Sequence, residues 1–198
     1  DGDAILKDFA EKFFGPAAEP MGRYISLMDA ALRDSDHSTG SAWDMPYHYP
    51  AALRQKARAL LNDGLALSAG KGIYEERVKM IAQTFEMLEA FIAMLDSRTH
   101  GDFASAKKSL EKLDATAKPL MEMKPVPMVS AGRHSTYVNY MNRFFRPCTE
   151  QGFERVTNGN RLVAFAADEW DFLIDPKQVG EATGLWRDDV RGGNWQKL

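Results

Sequence analysis

Cysteine is nearly missing from this chain: Cys148 stands alone among 198 residues, which excludes an intrachain disulfide and any cysteine-rich zinc site. With no nucleophile signature around it, Cys148 reads as a small buried group. Long apolar runs are missing as well. None reaches the roughly 20 residues that a membrane-spanning helix needs, and no N-terminal signal pattern is present. An excess of one charge is absent too: the formal net charge is -3, and Lys and Arg are scattered among acids. Neither nucleic acid nor a membrane surface is therefore an expected partner. The four histidines, His37, His48, His100 and His134, are far apart in sequence and none has a helical partner of the HExxH kind, so no metal is expected. Gly70-Lys71-Gly72 is too short to cradle a phosphate and reads as a helix break. No cofactor is expected.

What the chain does have is helical period. Leu6, Phe9 and Phe13 recur at +3 and +4 in a first short helix that Gly15 ends. Gly15 can take the left-handed conformation that closes a helix, and Pro16 suits the first turn of the next one, to about Arg33, with Met21, Ile25, Met28 and Leu32 as its buried stripe. From Asp34 to Pro50 the period is lost. A third helix is predicted over Ala51 to Leu67. A fourth, Ile73 to Ser97, carries Ile81, Phe85, Leu88, Ile92 and Leu95, with Met80, Met87 and Met94 flanking the stripe as gap fillers. A fifth starts at Asp102 as N-cap, and the short connection at Thr99-His100-Gly101 predicts an antiparallel hairpin with the fourth. Pro119, Pro125 and Pro127 then interrupt the helical period. A last helix, with Tyr137, Tyr140, Met141 and Phe144 as an aromatic face, runs from about Gly132 to Phe145 and is ended by Pro147.

Beyond Gly152, Phe153 to Ala167 reads as a hairpin around Asn158-Gly159-Asn160, and Trp170, Phe172 and Ile174 alternate as a short strand before Asp175-Pro176. The expected fold is mainly α: an antiparallel helical bundle over residues 1–150, then a linker hairpin and the start of a β domain over residues 151–198, giving a short β segment at the C-terminus.

Two stretches carry a family resemblance. Asp3-Ala4-Ile5-Leu6, Phe9, Phe14-Gly15-Pro16-Ala17-Ala18 and Tyr24 resemble the helical segment that follows the catalytic barrel in large bacterial glycoside hydrolases, the α-glucuronidase-like and hexosaminidase-like multidomain proteins. Trp170-Asp171-Phe172, Asp175-Pro176, Val179-Gly180, Gly184-Leu185-Trp186, Asp188-Asp189 and Trp195 resemble the opening of the galactose-binding-like β-sandwiches appended to such enzymes. A sandwich of that type needs roughly 100 residues, so the resemblance implies a truncated opening, extended over the helical body or paired with another chain. It also implies a piece of a longer enzyme, consistent with a first residue of Asp1, and a periplasmic or extracellular location. The partners it implies are the catalytic barrel of the same polypeptide, carbohydrate, and a second copy in a homodimer.

Candidate sites arise from residue chemistry and from the resemblance together. Trp43, Asp44, Tyr47 and His48 combine rings that stack on pyranose faces with groups that hydrogen-bond hydroxyls, so they are the carbohydrate-contact candidates. The competing reading has Trp43, Tyr47 and Tyr49 anchoring a long loop onto the core. Phe9, Phe13, Phe14 and Tyr24 are the interdomain-contact candidates, an apolar patch uncovered by the missing barrel. No catalytic residue is assigned: glycoside hydrolysis needs two carboxylates about 5–9.5 Å apart across a cleft, and the adjacent pairs Glu75-Glu76, Asp168-Glu169 and Asp188-Asp189 read as solvated or dipole-stabilising. The expected function is a non-catalytic accessory domain of a glycoside hydrolase. The alternative is a free-standing helical module that binds a ligand or a protein.

Overall fold

The computed structural model describes residues 1–37, 41–132, 135–160, 163, 171–172 and 196–197, in two units, Asp1–Asn160 and Arg161–Leu198. The first unit is helical. It begins with α1 (Gly2–Phe14), capped by the Asp1 carboxylate, which accepts from Asp3 N–H. Gly15 closes α1 at φ 54°, ψ -116°, a region outside the left-handed helical well that only glycine tolerates. A Cβ there would also press into the Tyr74 ring at 2.8 Å. Pro16 opens a 3-10 turn, Gly15–Ala17, instead of leading straight into helix, and α2 (Ala18–Arg33) comes after it.

Beyond the Asp34 corner, Ser41 caps a 3-10 turn, Ala42–Asp44, that runs into the single-turn α3 (Met45–His48). Next come α4 (Ala51–Ser68), α5 (Ile73–Thr99) and α6 (Phe103–Glu122). The helix break at 69–72 is closed by Glu75, whose carboxylate accepts from Gly70 N–H at 2.8 Å. Helices α5 and α6 run antiparallel: Asp102 N–H reaches Ser97 O at one end, and Gln83 Nε2 reaches Thr116 O at the other.

Core residues fall into two clusters. One joins α1, α2 and α4 to the first half of α5 through Phe14, Met21, Tyr24, Leu61, Val78 and Phe85. The other joins the second half of α5 to α6 and the last helices through Met94, Leu110, Leu113, Leu120, Met141 and Phe145. At about 100° per residue, Val78, Ala82 and Phe85 lie on one side of α5 and Met87, Ala90 and Met94 on the other. Met87 and Met94 are therefore centres of a second core, where the periodicity alone makes them edge fillers.

Two expected helix ends and one expected hairpin are corrected. Pro119 lies inside α6, and the nearby Thr116 carbonyl takes the Gln83 donor from α5. Pro147 does not end the last helix. After α7 (Thr136–Tyr140) the chain widens into a π turn, Met141–Phe145, in which Arg146 N–H donates to Met141 O, and α8 (Arg146–Thr157) carries Pro147 in its first turn. The widened turn shifts the hydrogen-bond register just where proline has no N–H to give. The hairpin expected from Phe153 begins as helix: Gly159, at φ 83°, ends α8, and Asn160 N–H donates to Arg155 O. In the second unit Asp171–Phe172 (β1) pairs antiparallel with Gln196–Lys197 (β2). The remaining residues of the sandwich-like resemblance, among them Trp170, Trp186 and Trp195, lie outside the described residues.

Cross-helix ion pairs tie the cores. Arg58 pairs with Glu89 and lies over the Phe85 ring at 5.0 Å, while Arg146 holds Asp114 through two bonds of 2.7 and 2.9 Å. Where α8 crosses the start of α6, a Cβ on Gly152 would overlap the Phe103 ring, reaching 2.9 Å from Cγ. Gly152→Ala gains about 1 kcal/mol of helix propensity but must displace a whole ring, at a cost of about 1–3 kcal/mol. The expected outcome in urea unfolding is a net loss, and the same change made alongside Phe103→Ala should be neutral or stabilising.

Burial pushes the Tyr24 hydroxyl up to about 12, reinforced by Tyr49 and opposed by Arg58. The unfolded phenol ionises near 10, so above that pH the unfolded chain holds fewer protons than the folded one. Stability is then complete below about pH 10 and is lost as pH rises towards about 12. Tyr24→Phe should flatten this alkaline decline in denaturant titrations taken across that range.

Candidate functional site

The corner residues 35–37 and 41–49 present their rings on two sides. His48 is buried and its Nδ1 lies 2.9 Å from Ser35 Oγ; Tyr49 is buried beside it. Trp43 and Tyr47 remain 45% and 64% exposed. The Trp43 ring leans on Phe145 at 4.5 Å, so it anchors the corner and still offers surface. Tyr47 is tilted against His37 at 4.9 Å, and the His37 and His48 rings meet at 6.4 Å, a proximity invisible in their spacing. Asp44 is half-buried in the 3-10 turn. Of the four carbohydrate candidates, Trp43 and Tyr47 are brought to one surface, and His48 points its ring into the corner it stabilises.

That surface is the mouth of a cleft of about 620 Å³ between the end of α5, the α5–α6 turn and α8. Arg98, His100, Cys148 and Arg155 line it together with Trp43 and Tyr47. Cys148 is exposed here, which corrects its reading as a buried group: it sits on the outer side of α8, next to the fully buried Thr149. The Arg98 guanidinium lies over the Trp43 ring at 5.3 Å, and burial pulls its pKa down. Its Nη1 is covered and has no hydrogen-bond acceptor among the described residues. The sequence contains no motif that singles out Arg98, because its setting is made by an α8 residue and a corner residue far away in the chain.

A second, apolar cavity of about 380 Å³ lies over the π turn, lined by Met45, Met87, Phe91, Tyr137, Met141 and Phe145. The Tyr137 hydroxyl is covered without a partner among the described residues and is pushed up to about 12, first by burial and then by the Asp114 carboxylate. Among the described residues no group of His, Cys, Asp and Glu side chains is placed to hold a metal ion, and no helix is long and apolar enough to cross a membrane. Glu75 pairs with Lys79 within α5, and that bond, with the Gly70 N–H, lowers its carboxyl pKa. Asp168-Glu169 and Asp188-Asp189 lie outside the described residues.

The interdomain candidates separate into two kinds. Phe14, 1% exposed, and Tyr24 are core residues of the helical unit itself, so they are not free to meet another domain. Phe9 is 44% exposed and stacks on the half-buried Phe13 at 5.0 Å, and Ile5 continues this outward side one turn earlier. Phe14→Ala should cost about 3–5 kcal/mol as a core cavity. Phe9→Ala should cost about 1.5 kcal/mol or less, the scale of one aromatic pair; thermal unfolding of the two variants compares them directly. No family model, curated protein or solved structure matches the chain.

Proposed function

We propose that the helical unit is a non-catalytic accessory domain of a carbohydrate-active glycoside hydrolase, docking on the catalytic barrel of its parent polypeptide and edging the sugar cleft. The observation that carries this reading is the pair of exposed rings, Trp43 and Tyr47, held at the mouth of a cleft by a corner whose inner side is buried. Flat apolar rings with polar neighbours suit the faces and hydroxyls of a pyranose. The outward Ile5, Phe9 and Phe13 side of α1 supports a docking role, since apolar side chains clustered on one helix face favour burial against another domain. The sequence resemblance adds the parent class, its periplasmic or extracellular location, the lead into a β-sandwich and a homodimer contact.

A second reading, a free-standing helical binding module, is favoured by the two closed core clusters, which the helical unit completes from its own residues. Both readings use the same cleft and differ over the barrel.

The test is a titration of the full chain with neutral mono- and oligosaccharides, followed through the tryptophan indole N–H resonances. Millimolar binding should shift the Trp43 signal, assigned by its loss in Trp43→Phe, with no turnover of aryl glycosides. An unmoved Trp43 signal removes the sugar-contact role. Turnover abolished by changing one of the chain's own acids overturns the non-catalytic reading.

A further inference from the structure

Most described arginines with a structural task have an evident partner. Arg58 pairs with Glu89, Arg146 with Asp114, Arg23 with Glu19, and Arg77 donates to the Phe13 carbonyl at 2.9 Å. Arg98 differs. Among the described residues no carboxylate lies within ion-pair distance of it, although Asp96 lines the same cleft. Its covered Nη1 has no acceptor among the described residues, and its ring contact is with Trp43. A half-buried guanidinium with an unmatched donor bears a desolvation cost that the Trp43 ring offsets in part, and a bound anion is one of the standard explanations for such a group.

The surroundings have the matching sign. Arg155, one helix away on α8, lines the cleft with no ion-pair partner among the described residues. His100 is tied back to the helix end: its Nδ1 lies 2.7 Å from the Asp96 carbonyl oxygen, which can only accept, so Nδ1 donates there. Two arginines, Arg98 and Arg155, face one carboxylate, Asp96, leaving a net positive cleft. Its volume of about 620 Å³ is far larger than an inorganic anion requires, and Trp43 and Tyr47 stand at its mouth.

We infer that this cleft binds a small ring compound bearing a carboxylate or phosphate, with the oxyanion on Arg98, further charge from Arg155, and the ring against Trp43 and Tyr47. The ring contact rests on the sugar-edge reading; the anion contact stands without it. Guanidinium suits either oxyanion, because its planar donors match two oxygens at once.

Calorimetric titration of the full chain with matched pairs separates the parts: galacturonate against galactose, glucose 6-phosphate against glucose, and inorganic phosphate alone. The charged sugars should bind at millimolar concentration or tighter and at least about tenfold better than their neutral counterparts, the scale of one hydrogen bond to a charged group. Arg98→Gln should remove that advantage, Arg98→Lys should keep part of it, and added salt should weaken it. Arg155→Gln, at an exposed position, should fold as the parent does and weaken both charged sugars; circular dichroism checks the fold of every variant. Whichever charged sugar binds tighter identifies the oxyanion. Equal binding of charged and neutral sugars overturns the anion site and leaves the sugar reading standing. Inorganic phosphate that binds through Arg98 as tightly as glucose 6-phosphate supports the anion contact and overturns the ring contact. Binding of any anion that is unchanged in both Arg98→Gln and Arg155→Gln, or no anion binding at all, overturns the proposal.

Discussion

The two-sided burial of α5 is the constraint on which the helical unit depends. At 27 residues it spans about 40 Å, and its inner faces are used in succession. Val78, Ala82 and Phe85 close the first cluster, and Met87, Ala90 and Met94 close the second from the opposite side. A helix used this way must be apolar on two sides, each over its own half of the length. Beyond its half, each side turns polar: Glu89, on the side of Val78 and Ala82, pairs with Arg58, and Gln83, on the side of Ala90 and Met94, donates to the Thr116 carbonyl. The helix thus serves each cluster as a wall and supplies donors and acceptors to the helices on either side.

The cleft is a consequence of where α5 stops. Its last turn carries Arg98 outward, Gly101 at φ 73° turns the chain into α6, and α8 crosses nearby with Gly152 close against Phe103. Because α8 continues past Pro147 through the π turn, Cys148, Gln151 and Arg155 are carried along one helix into the cleft wall. Had the helix ended at Phe145, Arg155 would lie on an extended strand and the positive wall would be missing. The π turn also brings Phe145 under Trp43, so the same local widening supports the aromatic rim.

Much of the helical layout was legible in the chain. Capping chemistry is local, and Asp102 accepts from Ser105 N–H at 2.9 Å as an N-cap should. Period-based expectations for α4 and α5 fall within a residue or two of the observed ends. The errors cluster at prolines and at Asn158-Gly159, where the sequence signal is ambiguous. A proline excludes one hydrogen bond, but α6 continues past Pro119 and a π turn absorbs the loss at Pro147, and Asn-Gly serves a helix end as well as a hairpin. The candidate site was half legible: the corner rings are conspicuous in sequence, and the arginines behind them are not.

What the sequence by itself determined is the placement of α1, α2, α4, α5 and the start of α6, because hydrophobic period, caps and positive-φ glycines act over a few residues. Which aromatic residues are core and which are surface was decided only by the tertiary structure. Phe9 and Phe14 lie on the same helix with the same chemistry, and only the arrival of α2 and α5 buries one and leaves the other outside. The same holds for Arg98. Its lack of a partner is a property of three segments meeting, and no window of sequence contains all three.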